Sequence, residues 1–520
     1  MTFFLALSPL ILILYLMIGR RWGAAPAGGA GYLSTLFIAW LFFGAGPELV
    51  AYAHGKAILL SLDVLLIIWA AFLLYRVADE AGAIQTIGRA LPHLTPDPGM
   101  QALLIGWVFA SFLQGVGGFG VPVAVTAPIL IGLGFAPLAA VIIPTIGHGW
   151  AVTFGSLGSA YAAMLAATGL SNEMLAPASA FFLGAPVPVI GLMVAHAAGG
   201  WAAVRRLWAP VILLGSVMAV TQYLAATAGV WNIASFAGSA AGLLVGMPLA
   251  VRNRKARTQE MGVSDGRGRS ILSLSALGTA LSGYAVLVVV ILIVQLVPAL
   301  RSFLGQAVIH FDFPEVRTGL GYVTLAESGR DIPIFRHTGS ILAYASILTY
   351  FVYKRAGLYK PGAPGRITTG TLGRVWTSTL SILAMVAMAV IMEDAGMTDT
   401  LAGGLAESVG ALFPVVAPWI GAVGAFITGS NTNSNVLFSG LQTRTAGVLG
   451  YSLSIILAAQ NAGAALTSVI SPTKVVVGVS TAGMTGQEGL VMRKMFVYTG
   501  LLMILISALT AAGVLIRGGF

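Results

Sequence analysis

Ten apolar stretches dominate this chain, at 3–19, 30–50, 57–75, 173–198, 207–227, 230–250, 273–300, 340–353, 375–395 and 492–516. Most approach the roughly 20 residues that a helix needs to cross a bilayer. Little sequence is left between them for a soluble domain. Only 8% of the 520 residues are charged and 58% are hydrophobic, whereas soluble domains run near 25% charged. Too little polar surface remains to cover a water-soluble fold, and disorder needs the opposite balance of hydrophobicity and charge. Strands of a membrane barrel would be segments of about ten residues with alternating polarity, a pattern these runs lack. The expectation is an all-α polytopic membrane protein. A single transmembrane transporter domain spans 1–520, with about 12–14 transmembrane segments, some of them discontinuous or re-entrant.

The formal net charge of +10 reads as topological bias rather than nucleic-acid binding, because the basic residues fall between apolar runs. Arg205 and Arg206 form one cluster, Arg252 to Arg269 a second and Lys354 to Arg374 a third. Two spans separate each cluster from the next, so all three fall on one face, which the positive-inside rule makes cytoplasmic. The 251–270 segment is then a basic cytoplasmic loop. Arg20 and Arg21 follow the first run instead of preceding it, the wrong polarity for a cleaved signal peptide. The Ala25-Pro26-Ala27 motif lies beyond both. The chain contains no cysteine, which excludes disulfides and thiolate chemistry. No metal or cofactor is expected.

Two stretches resist a simple helical reading. Gln114 to Pro122 packs four glycines and a proline into an apolar run, where a continuous helix would cost about 1 kcal/mol per glycine and about 3 for proline. Thr428-Gly429-Ser430-Asn431-Thr432-Asn433-Ser434-Asn435 interrupts 410–450. Each break is followed by another polar interruption, Ile146 to Ser156 in the first case and Gln460 to Pro472 in the second. Thirty residues separate Gly118 from His148, and thirty-two separate Gly429 from Asn461. Discontinuous segments in corresponding places mark the binding site of many secondary transporters. Glycine and serine also serve close helix packing, but four breaks in two matched pairs favour transport. The expectation is two inverted-topology repeats, with cores at 100–170 and 410–480.

A helix that restarts after a break presents unpaired N–H groups and the positive end of its dipole, an anion site needing no arginine. Helices restarting near Val121 and Val436 would supply such groups. The expected substrate site, for a small carboxylate, joins Gln114, Gly117, Gly118, Phe119, Gly120, His148, Thr153 and Ser156 to Ser430, Asn431, Thr432, Asn433, Ser434, Asn435, Gln460, Asn461 and Ser468. Lys474, just after Pro472, is a further contact for a carboxylate. Coupling requires a group that titrates, and intramembrane ionisable residues are functional candidates. His148 has a reference pKa near physiological pH, and Asp63 lies mid-span. Glu393 and Asp394 close the 375–395 run, where a solvated helix end is the plainer reading. His54, His93, His196, His310 and His337 read as span-end or loop residues without a role.

These residues carry a resemblance. Gly118-Phe119-Gly120-Val121-Pro122 resembles the G-F-G-A-P of the L-lactate permease family of bacterial monocarboxylate transporters. So do Ile146-Gly147-His148 with Phe154-Gly155, and Phe426 to Ser430 with Ser434 to Phe438. Asp63 and Gly486-Gln487-Glu488-Gly489 also sit as in that family, so the likeness runs along nearly the whole length. It implies proton-coupled uptake of lactate, glycolate or a related 2-hydroxy acid across the bacterial cytoplasmic membrane. Two positions depart. Asn431 stands where the family usually has Asp, which removes a titratable group. Gly149-Trp150 replaces part of the family's G-H-T-A-P run, placing a bulky ring where it can narrow the pocket. Ser430-Asn431-Thr432 also resembles the sodium signature of divalent-anion/sodium symporters, so sodium-coupled carboxylate or dicarboxylate symport is the alternative. An intramembrane enzyme is the alternative of another class, but its usual motifs (H-E-x-x-H, G-x-S-G, G-x-G-D) are missing. The expected partners are the substrate carboxylate, a coupling proton (or sodium), the lipid bilayer and, for the scaffold helices, a second copy in a homo-oligomer.

Overall fold

The computed structural model describes residues 2–517 apart from Arg21, Phe119, 261–273, 327–330 and Thr485. Phe119 of the expected site and much of the 251–270 loop therefore lie outside the described residues.

The chain opens with α1 (Thr2–Ile18), α2 (Ala24–Phe42) and α3 (Pro47–Glu80). The apolar run 30–50 is thus divided between two helices. Gly44, at φ +71°, turns the chain, and Pro47 starts the next helix with its φ already set. After α4 (Ala83–Ala90), α5 (Pro98–Gln101) runs through a π-helical stretch, Ala102–Phe109, into α6 (Ala110–Val116). Then come α7 (Val121–Gly132), α8 (Pro137–Gly147), α9 (Ser159–Thr168), α10 (Asn172–Gly184) and α11 (Pro186–Thr227), the last bent where Gly199 and Gly200 leave helical geometry. The chain continues through α12 (Ala234–Glu260), α13 (Leu274–Leu296), α14 (Pro298–Leu304), α15 (Thr338–Arg355), α16 (Ala363–Asp394) and α17 (Met397–Val409). It ends with α18 (Phe413–Thr428), α19 (Asn431–Leu449), α20 (Leu453–Ser468), α21 (Pro472–Thr481) and α22 (Glu488–Arg517).

Eleven helical segments among the described residues are long and apolar enough to cross a membrane, with α1 and α7 as shorter apolar helices. The all-α expectation needs one amendment. Between α14 and α15, β1 (Val308–Ile309) pairs antiparallel with β4 (Ile332–Pro333), and β2 (Val316–Arg317) with β3 (Val323–Thr324).

Two apolar clusters organise the molecule. One joins α4 to α13 with α18 and α20 to α22; the other joins α1, α2, α16 and α17, with Val436 and Phe438 of α19. Helix α3 contributes to both. Burial separates centre from rim: 100% of the most apolar window of Pro98–Val116 and 94% of that in Leu453–Thr481 is inside protein, against 33% for Ala24–Phe42. The broken segments are therefore shielded from lipid, as non-helical backbone at membrane depth requires. Arg206 pairs with Asp97 at 2.8 Å and Arg366 with Glu80 at 2.6 Å. These pairs join the end of α3 to the start of α16, and the start of α5 to α11 just after its bend, on the basic face.

Candidate functional site

The first break spans only Gly117 to Gly120. Gly118 sits at φ +55°, and a Cβ there would stand 2.0 Å from Ser156 Oγ. Ser156 and Leu157 themselves hold positive φ, 47° and 56°, a costly conformation for side-chain-bearing residues that persists only under tight packing. A Cβ on Gly155 would meet the Gln114 carbonyl oxygen at 2.7 Å. Gln114, Gly118 and Ser156 are thus one packed unit, joining the two breaks of the first half. Gly117 lies against Tyr75 of α3, and Gly120 against Val477 of α21.

The second break is shorter than the sequence suggests. Helix α19 begins at Asn431, not near Val436, because Ser430 caps it by accepting the Asn433 N–H at 3.2 Å. The Ser/Asn run is the first turn of a helix rather than unwound chain, and only Gly429 and Ser430 break it. Its side chains then project by helical spacing. Asn431 Nδ2 donates to Thr153 Oγ1 at 3.0 Å and to Asn461 Oδ1 at 3.2 Å. Asn435 Nδ2 donates to Asn461 Oδ1 at 3.0 Å and to the Ala160 carbonyl at 2.9 Å. Thr153 Oγ1 donates to Asn461 Oδ1 at 3.0 Å. This buried knot ties the first half to the second through side chains about three hundred residues apart (308 for Thr153 and Asn461). Oδ1 of Asn431, Oδ1 of Asn435 and Nδ2 of Asn461 are buried with no protein partner.

A second knot lies beside it. Gln460 Nε2 donates to Ser434 Oγ at 3.2 Å, Ser434 Oγ to the Gly421 carbonyl at 2.8 Å, and Gln442 Nε2 to Gln460 Oε1 at 3.0 Å. Gln442 escaped the sequence reading although it stands seven residues beyond Asn435, on the same helical face. That spacing was the available signal.

Ser430, Thr432 and Asn433 line a cavity of about 300 Å³ with Ser381 of α16, Thr428, Gly429, Thr473 and Lys474. Asn433 Nδ2 donates to Ser381 Oγ at 3.2 Å, and Lys474 Nζ to Ser468 Oγ at 3.1 Å. The cavity is rimmed by Gly23 to Pro26, just after Arg20, so its mouth is on the basic face. Among the described lining residues Lys474 carries the only formal charge. The N-terminus of α19, capped by Ser430, and that of α21, where Ser471 stands at the N-cap position without a side-chain capping bond, both meet there. Nothing in the sequence pointed to Ser381, whose place depends on how α16 docks.

The remaining candidates scatter. His148 is 1% exposed; Nδ1–H donates to the Pro144 carbonyl at 2.6 Å, and Nε2 has no partner. Trp150 does not reach a pocket: its Nε1–H donates to Ser111 Oγ at 2.9 Å, and its ring is fully buried in the core. Glu393 and Asp394 do not form a solvated helix end. Asp394 is buried and lies 3.9 Å from Lys56, and Glu393 lies 3.7 Å from Arg444. His337, read from sequence as a loop residue without a role, is buried and meets Asp63 at 2.7 Å. His54 and His196 meet the hydroxyls of Tyr32 and Tyr498.

With this geometry in view, the chain compares as follows. The L-lactate permease family model matches residues 2–516. This chain belongs to the L-lactate permease family. It is 28% identical to glycolate permease GlcA of Escherichia coli K12, over 95% of this chain and 91% of that protein. It is 27% identical to the L-lactate permease of Bacillus subtilis 168, over 97% and 94%. The fold is similar to that of Neisseria gonorrhoeae MtrF, an efflux-pump structure, with TM-score 0.51 and 13% identity over 90% of this chain and 85% of the other. The chain is a permease rather than an enzyme, a multi-pass protein of the bacterial cytoplasmic membrane that carries small hydroxy acids.

Proposed function

We propose that this permease carries L-lactate, glycolate or a related small 2-hydroxy monocarboxylate in symport with protons. Its substrate docks in the cavity between α16 and the second break. The observation that carries the reading is the convergence of Lys474 with two helix N-termini on one cavity of about 300 Å³. A carboxylate is attracted by the ammonium and by the positive helix ends. Ser430, Thr432, Asn433 and Ser381 surround it with hydroxyl and amide groups that can hold a 2-hydroxyl. The Thr153, Asn431, Asn435 and Asn461 knot lies behind this cavity and couples it to the first half. The names of the lactate and glycolate permeases support the substrate class.

The paired breaks also support two inverted repeats, since each half packs its own two breaks together. Gly118 lies against Ser156 in one half and Gly429 against Thr473 in the other. His148, with a bare Nε2, and Asp63 are the coupling candidates. Sodium is the second reading, favoured by the two buried asparagine oxygens, which are suitable cation ligands.

The test is uptake of labelled L-lactate and glycolate into proteoliposomes under separate proton and sodium gradients. A proton gradient alone should drive accumulation, and Lys474→Met should lower it at least about tenfold, about 1.4 kcal/mol. Accumulation that follows only sodium would overturn proton coupling. Wild-type uptake by Lys474→Met would remove the cavity from the site.

A further inference from the structure

The hydroxyls of α16 divide into two kinds. Thr368, Thr369, Thr371 and Thr379 each donate to the carbonyl four residues earlier, at 2.8 to 2.9 Å, the usual local partner of a hydroxyl on a helix. Thr377, Ser378 and Ser381 donate to no group among the described residues, and these are the three that line the cavity beside the second break. They share one face of the helix by spacing. Helix α16 starts at the basic face, and along this row Thr377 is exposed, Ser378 half-buried and Ser381 buried. Ser381 is the deep end of the row.

Ser381 has one partner. Its Oγ accepts from Asn433 Nδ2 at 3.2 Å, which uses a lone pair and leaves the hydroxyl hydrogen uncommitted. Asn433 is the third residue of α19, and its backbone N–H goes to Ser430 Oγ. Its side-chain Oδ1 accepts from no described group. Ser381 and Asn433 are each only 5% exposed, and both stand in the cavity wall. They present a hydroxyl donor beside an amide acceptor, and burying such groups unpaired is costly. Other polar groups of the same wall are already engaged. Thr428 donates to the Gly424 carbonyl at 2.8 Å, and Lys474 to Ser468 Oγ.

A 2-hydroxyl is the complement of this pair, since its oxygen accepts one hydrogen bond while its hydrogen donates another. It lies one carbon from the carboxylate. An acid held at the start of α19 beside Lys474 therefore brings its hydroxyl toward Asn433, two residues along that helix. We infer that Ser381 and Asn433 read the substrate's 2-hydroxyl, Ser381 donating to its oxygen and Asn433 Oδ1 accepting its hydrogen. The pair makes the permease prefer 2-hydroxy acids to the same acids without the hydroxyl. A site built to pair a hydroxyl rejects the analogue lacking it, because its own buried polar groups are then left unsatisfied. The inference rests on the cavity being the substrate site, as proposed above, and is independent of the coupling ion.

The test uses the full chain in proteoliposomes and follows exchange of labelled L-lactate against internal L-lactate at equal pH. Unlabelled L-lactate and propionate, its deoxy analogue, are the competitors. In the unaltered protein propionate should compete at least about tenfold more weakly than L-lactate, equivalent to about 1.4 kcal/mol. Ser381→Ala should weaken L-lactate about tenfold and leave propionate unchanged, so that the preference disappears. Ser381→Thr keeps the hydroxyl and should keep the preference. A structural role for Ser381 would weaken both competitors alike; an unmoved ratio in Ser381→Ala overturns the inference, as does an unaltered protein that shows no preference. If the alanine variant fails to insert, Ser381→Cys, close in shape but a weak donor, should lower the ratio, and an unchanged ratio there is equally fatal. Exchange at the unaltered rate by Lys474→Met instead removes the cavity from the site, and so fails the underlying reading. Where exchange depends on Lys474 but the ratio ignores Ser381, only the hydroxyl assignment falls.

Discussion

At the residue scale, Asn461 is the hub of the structure. Its Oδ1 accepts from Thr153, Asn431 and Asn435, three donors on two segments, and all four residues are buried. Leaving a buried donor without a partner costs about 1–3 kcal/mol, so removing this one oxygen affects several groups at once. Asn461→Ala should lower the initial rate of uptake at least about tenfold, equivalent to about 1.4 kcal/mol. Asn461→Asp, which keeps the acceptor, should lose less; equal rates for Ala and the unaltered protein would show that the knot is idle. A different residue-level test applies outside the membrane. His310 has its pKa raised, first by the hydrogen bond to Asp331, against an opposing desolvation, and further by Asp312. Its folded-state value exceeds its unfolded value, so its contribution to holding β1 on β4 is fully present below the ordinary histidine range, near 6.5. The contribution fades as pH rises through the raised value. Hydrogen exchange at Ile309 and Ile334 should therefore be slower, after correction for intrinsic rates, at pH 6 than at pH 9, and His310→Ala should remove the difference.

At the element scale, the second break teaches most. A run of serine and asparagine reads as loop because these side chains compete with backbone hydrogen bonds. Here one of them, Ser430, takes the N-cap, and the others ride on the helix it starts. The sequence supplied the polar residues, but the capping geometry turned them into a face that meets Asn461. The first break behaves as its glycines suggest, since Gly118 at positive φ lets the chain pass Ser156. Gly118→Ala would combine a left-handed backbone with a Cβ 2.0 Å from Ser156 Oγ. It should reduce uptake at least about tenfold at unchanged membrane insertion, measured by initial rates normalised to protein. Uptake equal to the unaltered protein would mean that this turn relaxes without consequence. The outer segment between α14 and α15 gave no sequence signal at all. Its strands are two residues each, too short for alternation to register.

At the scale of the whole molecule, the two cavities open on opposite faces. The lysine cavity lies toward the basic end, and a cavity of about 550 Å³ lined by Asp63, Asn172, Glu173 and His337 toward the other, while Arg444 of α19 draws Glu393 and Asp399 together on that second side. With the basic end cytoplasmic by the positive-inside rule, the proposed substrate cavity opens inward. The absence of cysteine makes it directly measurable. A single Ser378→Cys should react with an impermeant thiol reagent from the cytoplasmic side, and Asn172→Cys from the outer side. Reaction of both from one side would overturn the placing of the two cavities on opposite faces.

The sequence by itself determined the membrane environment, the helical class, the family and the positions of the breaks. Each of these follows from local rules: apolar length, charge between spans, and the backbone freedom of glycine. Only the tertiary structure decided which polar residues share a cavity. Thr153 meets Asn461 across 308 positions, and His337 meets Asp63 across 274. Such pairings depend on how helices dock, and no local pattern encodes them. The low charge of the chain marks the few buried ionisable groups as candidates for function. Docking alone set Lys474 against the proposed substrate cavity and Asp63 against His337.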